Sequence, residues 1–218
     1  ERHAPTVILH VLGTTMACLM VGLGAEALTR ALIPARLAHL AQDVDRGFQG
    51  NVVVEMGIAL RRSADHLAPG TDPAALAQAL RAGDTTPELA AAWQDFLDRF
   101  GFRGPSEVDA GRPRYADDWT LALSQACAMA GTAFDPADAL QERIAARKKA
   151  LDELLAGVGP VRRGLLRAAH RRMEAFLGTR DNPKHDYLVF FAALRRRALA
   201  EGQRLVAEGR KIADRSAQ

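Results

Sequence analysis

A capping residue followed at once by proline recurs along this chain, and it restricts the local structure more than any other feature. In PGTDP, residues 69–73, Asp72 stands as a helix cap with Pro73 at the first helical position, and TTPELAAAWQDFLDRF repeats that grammar with Thr86 and Pro87. Proline suits that position because its missing N–H is one that no helix satisfies and its fixed φ matches the first turn. DPADALQERIAARKKALDELLAGV then reads as a long amphipathic helix with Leu140, Ile144, Leu151 and Leu155 near one face, ended by Gly157, Gly159 and Pro160. Ala, Leu, Arg and Glu dominate while β-branched and aromatic residues are few, a mixture that favours helix over strand across long windows. The predicted fold class is all-α: a multi-helix single domain over residues 1–218 with one long irregular loop near residues 100–119.

Other helices follow from the same punctuation. Pro34 opens a stretch through about Arg46, and FQGN supplies a turn. Asn51 is then a good N-cap, with Glu55 in the first turn, where a carboxylate meets the positive end of the helix dipole. TLALSQACAMA is apolar enough to be buried, and a helix running to about Leu177 carries Arg162, Arg163, Arg167, Arg171 and Arg172 as a solvated face. The last helix starts near Pro183 and runs to about Gly209, with Leu188, Phe191, Leu194, Leu199 and Leu205 as packing positions. From Val7 to Ala25, VILHVLGTTMACLMVGLGA approaches the about 20 apolar residues that span a bilayer. His10, Thr14, Thr15 and three glycines dilute it and no second such segment follows, so the expectation is a buried helix or helix pair lining a core or pocket, and no membrane partner.

FGFRGPSEVDAGRPRYADDW, from Phe100 to Trp119, interrupts this helical pattern with three Gly and two Pro. Phe100, Phe102, Tyr115 and Trp119 argue against a solvated linker, which rarely carries so much ring surface. Arg103, with Glu107 or Asp109 as its partner, is expected to hold this loop against a core, alongside Arg112 and Arg114.

Several function classes find little support. The 29 basic and 26 acidic residues nearly balance, at a formal net charge of +3, so nucleic acid is not an expected partner. Cys18 and Cys127 sit in apolar contexts with neither a disulfide framework nor a CxxC pair, which points to a cytoplasmic location. No phosphate-binding GxxxxGK[ST] loop, GxSxG nucleophile turn or HExxH zinc pair is present, and the six histidines do not pair at ligand spacing, so no metal is expected. The chain opens on Glu1 without a secretory pattern and reads as a piece of a longer protein.

GTRDNPKHDY, residues 178–187, lies between two predicted helices. Arg180 and Lys184 flank Asp181, and Pro183 fits a first turn, so backbone N–H groups and two cations are expected to face one solvent volume. Such a helix start binds anions.

Three stretches resemble phosphoenolpyruvate-utilising enzymes of the phosphoenolpyruvate synthase and rifampin phosphotransferase type. GNVVVEMGIALRRSADHL is similar to a Gly/His-Asn-x-x-x-Glu-Met helix start. FLDRFGFRGPSEVDAGRPRYADD resembles Tyr-Gly-His-Arg-Gly-Pro-Gly-Glu-Ile-Asp followed by Ser-Pro-Arg-Trp and an acidic pair, with Phe102 in place of the His and Ser106 in place of a Gly. TRDNPKHDYLVFFAALRRRALAEGQRLVAEGR resembles an Arg-Glu-x-Pro-Lys start of a long helix ending in Gly-Arg.

The resemblance implies the helical domain that sits between an ATP-grasp domain and a mobile phosphohistidine domain, those two domains of the same chain being its partners. ATP and Mg would act elsewhere in the full-length enzyme, and no cofactor is expected in these residues. It also implies that Arg180, Asp181 and Lys184 face the arriving phosphohistidine. Cations are needed where charge spreads over a transferring phosphoryl group, and a carboxylate can take the acceptor's proton. Met16, Met20 and Leu23 are the expected pocket wall for a small-molecule acceptor. Asn51, Glu55, Arg103, Glu107, Asp109 and Arg114 carry the structural motif, so architecture is expected at 100–119 and chemistry at 180–184. The alternative is a non-catalytic helical interaction or domain-positioning module using the arginine-rich 161–172 and 195–197 faces.

Overall fold

The structure, a computed structural model, describes the backbone of residues 4–179 and 181–209, and the side chains of those from Gly13 onward. Among the described residues there are nine α-helices and no strand. They are α1 (Ala4–Leu32), α2 (Ala41–Val44), α3 (Val52–Ala64), α4 (Pro73–Ala82), α5 (Pro87–Phe100), α6 (Thr120–Met129), α7 (Pro136–Ala156), α8 (Pro160–Phe176) and α9 (Asn182–Ala207), with a 3-10 turn at Ala35–Leu40 leading into α2. The punctuation acts as read. Asp72 accepts from the Ala75 N–H at 2.8 Å, Thr86 from Leu89 at 3.3 Å and Asp135 from Ala137 at 2.6 Å, each with proline in the first turn. Each such cap stabilises its helix by roughly 1 kcal/mol.

The largest core lies between α3, α4, α5 and α6. Trp93 stacks on Phe96 at 5.2 Å between centroids, and Phe96 meets Phe100 at 5.7 Å and Tyr115 at 5.8 Å. Leu60 and Leu123 are buried beside them. Tyr115 belongs to the 100–119 loop, so the two ends of this stretch are packed against the core as expected, while most of 105–113 is exposed. Its two ends are tied by Tyr115 N–H to Arg103 C=O and Ala116 N–H to Gly101 C=O, both at 2.8 Å. A second core joins the 3-10 turn and α2 to α7 and α8 through Leu37, Leu40, Val44, Leu154 and Leu166.

Two packing expectations are corrected. α1 is one continuous helix, and it meets α8 along a single stripe where Gly22, Ala25 and Thr29 lie on Met173 and Leu177. α8, with a lighter contact from α9, covers only part of the surface of α1, so Met16, Met20 and Leu23 stand 57%, 59% and 44% exposed. By length and composition alone, Gly13–Leu32 is the one helix among the described residues able to cross a membrane. α9 buries Leu188, Ala192 and Arg195, a stripe at i, i+4 and i+7 turned onto the 100–119 loop, while Leu194 and Leu199 face solvent. Arg195 fixes that orientation, donating from Nε to the Ala110 carbonyl at 2.8 Å and pairing with Asp117 at 2.9 Å.

Candidate functional site

The turn joining α8 to α9 is pressed against the turn that starts α3. A Cβ on Gly178 would lie 2.2 Å from the Gln49 carbonyl oxygen, so only glycine permits this approach. Asn51 caps α3, its Oδ1 accepting from the Val53 N–H at 2.8 Å, while its Nδ2 donates to Asp181 Oδ2 at 2.6 Å. In return the Val52 N–H donates to Asn182 Oδ1 at 3.2 Å. The two helix starts therefore lie side by side, each with the positive end of its dipole at the junction.

The loop supplies the third side. Arg103, buried at 6% exposure, donates from Nε to Glu107 Oε1, and Glu107 Oε2 receives Lys184 Nζ at 2.7 Å. Arg103 Nη1 lies 3.4 Å from His185 Nδ1, and His185 stands edge-on to Phe100 and Phe102 with ring centroids 6.0 and 5.0 Å away. Burial opposes ionisation of Glu107, but hydrogen bonds from Lys184 and Arg103 outweigh it and hold the carboxyl below the usual carboxylate range. Arg114 locks the loop's shape, donating to the carbonyls of Ser106, Glu107 and Asp109 at 2.8–2.9 Å. Asp109 pairs with Arg112 at 3.7 Å, leaving Glu107 as the partner of Arg103.

Asn51, Asp181, Lys184, Arg103 and Glu107 thus lie together in one constellation, which joins the loop expected to be architectural to the helix start expected to carry chemistry. Lys184 is also less free than expected, because its ammonium already rests on the loop's carboxylate. Glu55 borders the group and pairs with Arg99 at 2.9 Å. Arg180 lies outside the described residues. Asn182 and His185 were missed by sequence reasoning. Their only signal is position, on either side of Pro183 and Lys184 in the same short stretch.

A cavity of about 360 Å³ opens against Asn51, walled by Phe48, Val54, Leu140 and Leu177 and by charged side chains that include Arg30, Asp45 and Arg143. Glu26 and Arg30 bring α1 to its edge. Leu23 is one turn before Glu26, so the Met16–Met20–Leu23 stripe leads along α1 toward this cavity from outside it. Gly47, at φ +72°, sets the rim: a Cβ there would sit 2.6 Å from the α7 backbone at Arg143.

Behind Phe48 lies a buried charged group. The Arg147 guanidinium stacks 4.5 Å above the Phe48 ring and donates to Glu174 at 3.2 Å, and His170 Nε2 stands 3.6 Å from the same carboxylate. Burial and then the Arg147 charge push His170 down, against the pull of Glu174 and Asp45. Burial and then Arg103 do the same to His185, against Asp186, Glu107 and Glu55. Both histidines therefore resist protonation in the folded state, and on acidification the unfolded chain binds the protons first. Their contribution to stability is intact above the ordinary histidine value of about 6.5 and is lost as pH falls below it toward the lower folded values. The melting temperature is expected to drop between pH 7.5 and pH 5, and less steeply in a His170→Gln, His185→Asn double variant. A flat profile in the parent protein contradicts this.

Among the described residues no group of three or more His, Cys, Asp or Glu side chains is placed to hold a metal ion.

The model of the family described as rifampicin phosphotransferase fourth domain matches residues 10–181. A curated rifampicin phosphotransferase from Streptomyces sviceus is similar to this chain, at 27% identity over 177 residues that cover 73% of the chain and 20% of that protein. The chain thus spans about a fifth of the length of that relative. The family match takes in Asn51, Arg103 and Glu107 and ends at Asp181, just before Lys184 and His185.

Proposed function

The chain belongs to the rifampicin phosphotransferase fourth-domain family, and from that premise we propose that it is the acceptor-binding helical part of a phosphotransferase, with the paired starts of α3 and α9 as its transfer site. One observation carries this reading: the cavity wall and the reactive end of α9 share Asn51, which lines the first and hydrogen-bonds to Asp181 in the second. A cavity of about 360 Å³ falls within the range of small-molecule sites.

The chemistry follows from the charges. An acceptor hydroxyl held in the cavity attacks phosphorus, a new O–P bond forms, and the bond from phosphorus to a phosphohistidine nitrogen elsewhere in the protein breaks. The hydroxyl proton passes to the Asp181 carboxylate, which Asn51 orients through Oδ2. Lys184, with Arg180 four residues before it in sequence, neutralises charge on the phosphoryl oxygens, and the N-termini of α3 and α9 add their backbone dipoles. Lys184 reaches the phosphoryl group by exchanging Glu107 for it, which its exposed side chain permits.

In the full-length protein, Lys184→Ala is expected to lower kcat/KM for phosphoryl transfer about tenfold, the loss of one charge-assisted hydrogen bond. An unchanged kcat/KM removes Lys184 from the site.

A further inference from the structure

We propose that His185 is a positioning residue for this site, its Nδ1 accepting from Arg103 and so keeping the guanidinium turned onto Glu107, whose second oxygen holds Lys184. The value of this to phosphoryl transfer rests on the reading of Lys184 given above; the positioning itself does not. Arginine has no acceptor and does not deprotonate, so the 3.4 Å contact between Arg103 Nη1 and His185 Nδ1 is a hydrogen bond only when Nδ1 carries no proton. That assigns the ring proton to Nε2 and makes His185 an acceptor toward the loop.

Burial against two aromatic rings and the Arg103 charge favour this state, against the pull of Asp186, Glu107 and Glu55. Phe100 at the end of α5 and Phe102 in the loop present ring faces or edges to the imidazole. The charged groups that act on it are Arg103 and Glu107 from the loop, Glu55 from α3, and Asp186 on α9 itself, with Lys184 adjacent in the same helical turn. A proton on Nδ1 would set an imidazolium against the guanidinium. Arg103 would then lose its second anchor, Glu107 would lose its fixed orientation, and Lys184 would no longer be held beside the α9 start.

The test uses ¹⁵N-labelled protein of this sequence and follows solvent exchange of the Arg103 Nε–H, the group that donates to Glu107. His185→Phe keeps the ring packing and removes the acceptor; its Arg103 exchange should rise about fivefold, as expected for one lost hydrogen bond. His185→Asn offers an oxygen acceptor near the Nδ1 position and cannot titrate, so it should keep the parent exchange rate and lose the acceleration seen at acid pH. Parent-like exchange in His185→Phe, or equal acceleration in both variants, overturns the proposal. Should His185→Phe not fold, the parent protein decides: Arg103 exchange must accelerate at the pH where the His185 ring titrates, and independence of the two overturns it. Inorganic phosphate titrated into the same samples separates the two readings. Binding at Lys184, about threefold weaker in His185→Phe and unchanged in His185→Asn, supports both, again on the scale of part of one hydrogen bond. No perturbation at Lys184 by phosphate in the parent protein counts against the transfer site, while Arg103 exchange still decides the positioning.

Discussion

Arg103→Met is expected to lower the free energy of unfolding by about 3–5 kcal/mol, because it removes one partner of a buried ion pair and leaves the other in place. Arg103 and Glu107 have side-chain exposures of 7% and 11%, so neither charge is well hydrated in the folded state. Without the guanidinium, Glu107 retains only the Lys184 ammonium, whose side chain is largely in solvent. The neighbouring loop also suffers, since the Arg103 carbonyl receives the Tyr115 N–H that closes it. Urea unfolding provides the measurement. Adding Glu107→Gln should recover much of the loss, because a neutral side chain has no charge left to desolvate. If the double variant is no more stable than Arg103→Met, lost packing rather than the stranded carboxylate is the cause.

Phe96→Ala should destabilise by a similar amount, about 3–5 kcal/mol, through a different mechanism. Phe96 is fully buried and touches the rings of Trp93, Phe100 and Tyr115, so its removal opens a cavity bounded by side chains that are themselves fixed. Aromatic contacts of this kind add about 0.5–1.5 kcal/mol beyond buried area. Tyr115 is the link to the site, so the same substitution should loosen the loop that carries Arg103 and Glu107. Phe134→Ala, at a ring 56% exposed, is the control and should change stability by less than about 0.5 kcal/mol. Equal losses at the two positions would falsify the view that the aromatic cluster anchors the loop.

Much of the fold was legible because its signals are local. Asp72, Thr86 and Asp135 each cap a helix by bonding to an N–H two or three residues away. That Arg103 pairs within its own loop was visible for the same reason, Glu107 and Asp109 both lying within six residues, though only the structure chose Glu107. Legibility failed where burial depends on what else is nearby. Met16, Met20 and Leu23 look like core residues, yet the hydrophobic pattern of α1 does not state that its neighbours will leave this side of it exposed. Arg147 and Arg195 look like solvated arginines, yet neighbours that only the folded chain supplies bury both of them: Phe48 and Glu174 around the first, Ala110 and Asp117 around the second.

The same distinction governs the site. By itself the sequence determined the helical class, most helix starts, the rigid loop at 100–119 and the family motifs, since capping, proline geometry and short ion pairs act over a few residues. Only the tertiary structure decided that Asn51 holds Asp181, that Glu107 holds Lys184 and that His185 meets Arg103. Those partners come from separate elements, and their meeting depends on how α3, α9 and the loop pack: on Gly178 fitting against Gln49, and on Arg195 turning α9 onto the loop. Contacts set by such packing leave no periodic trace in the chain, because each partner's own neighbours in sequence are compatible with many other placements.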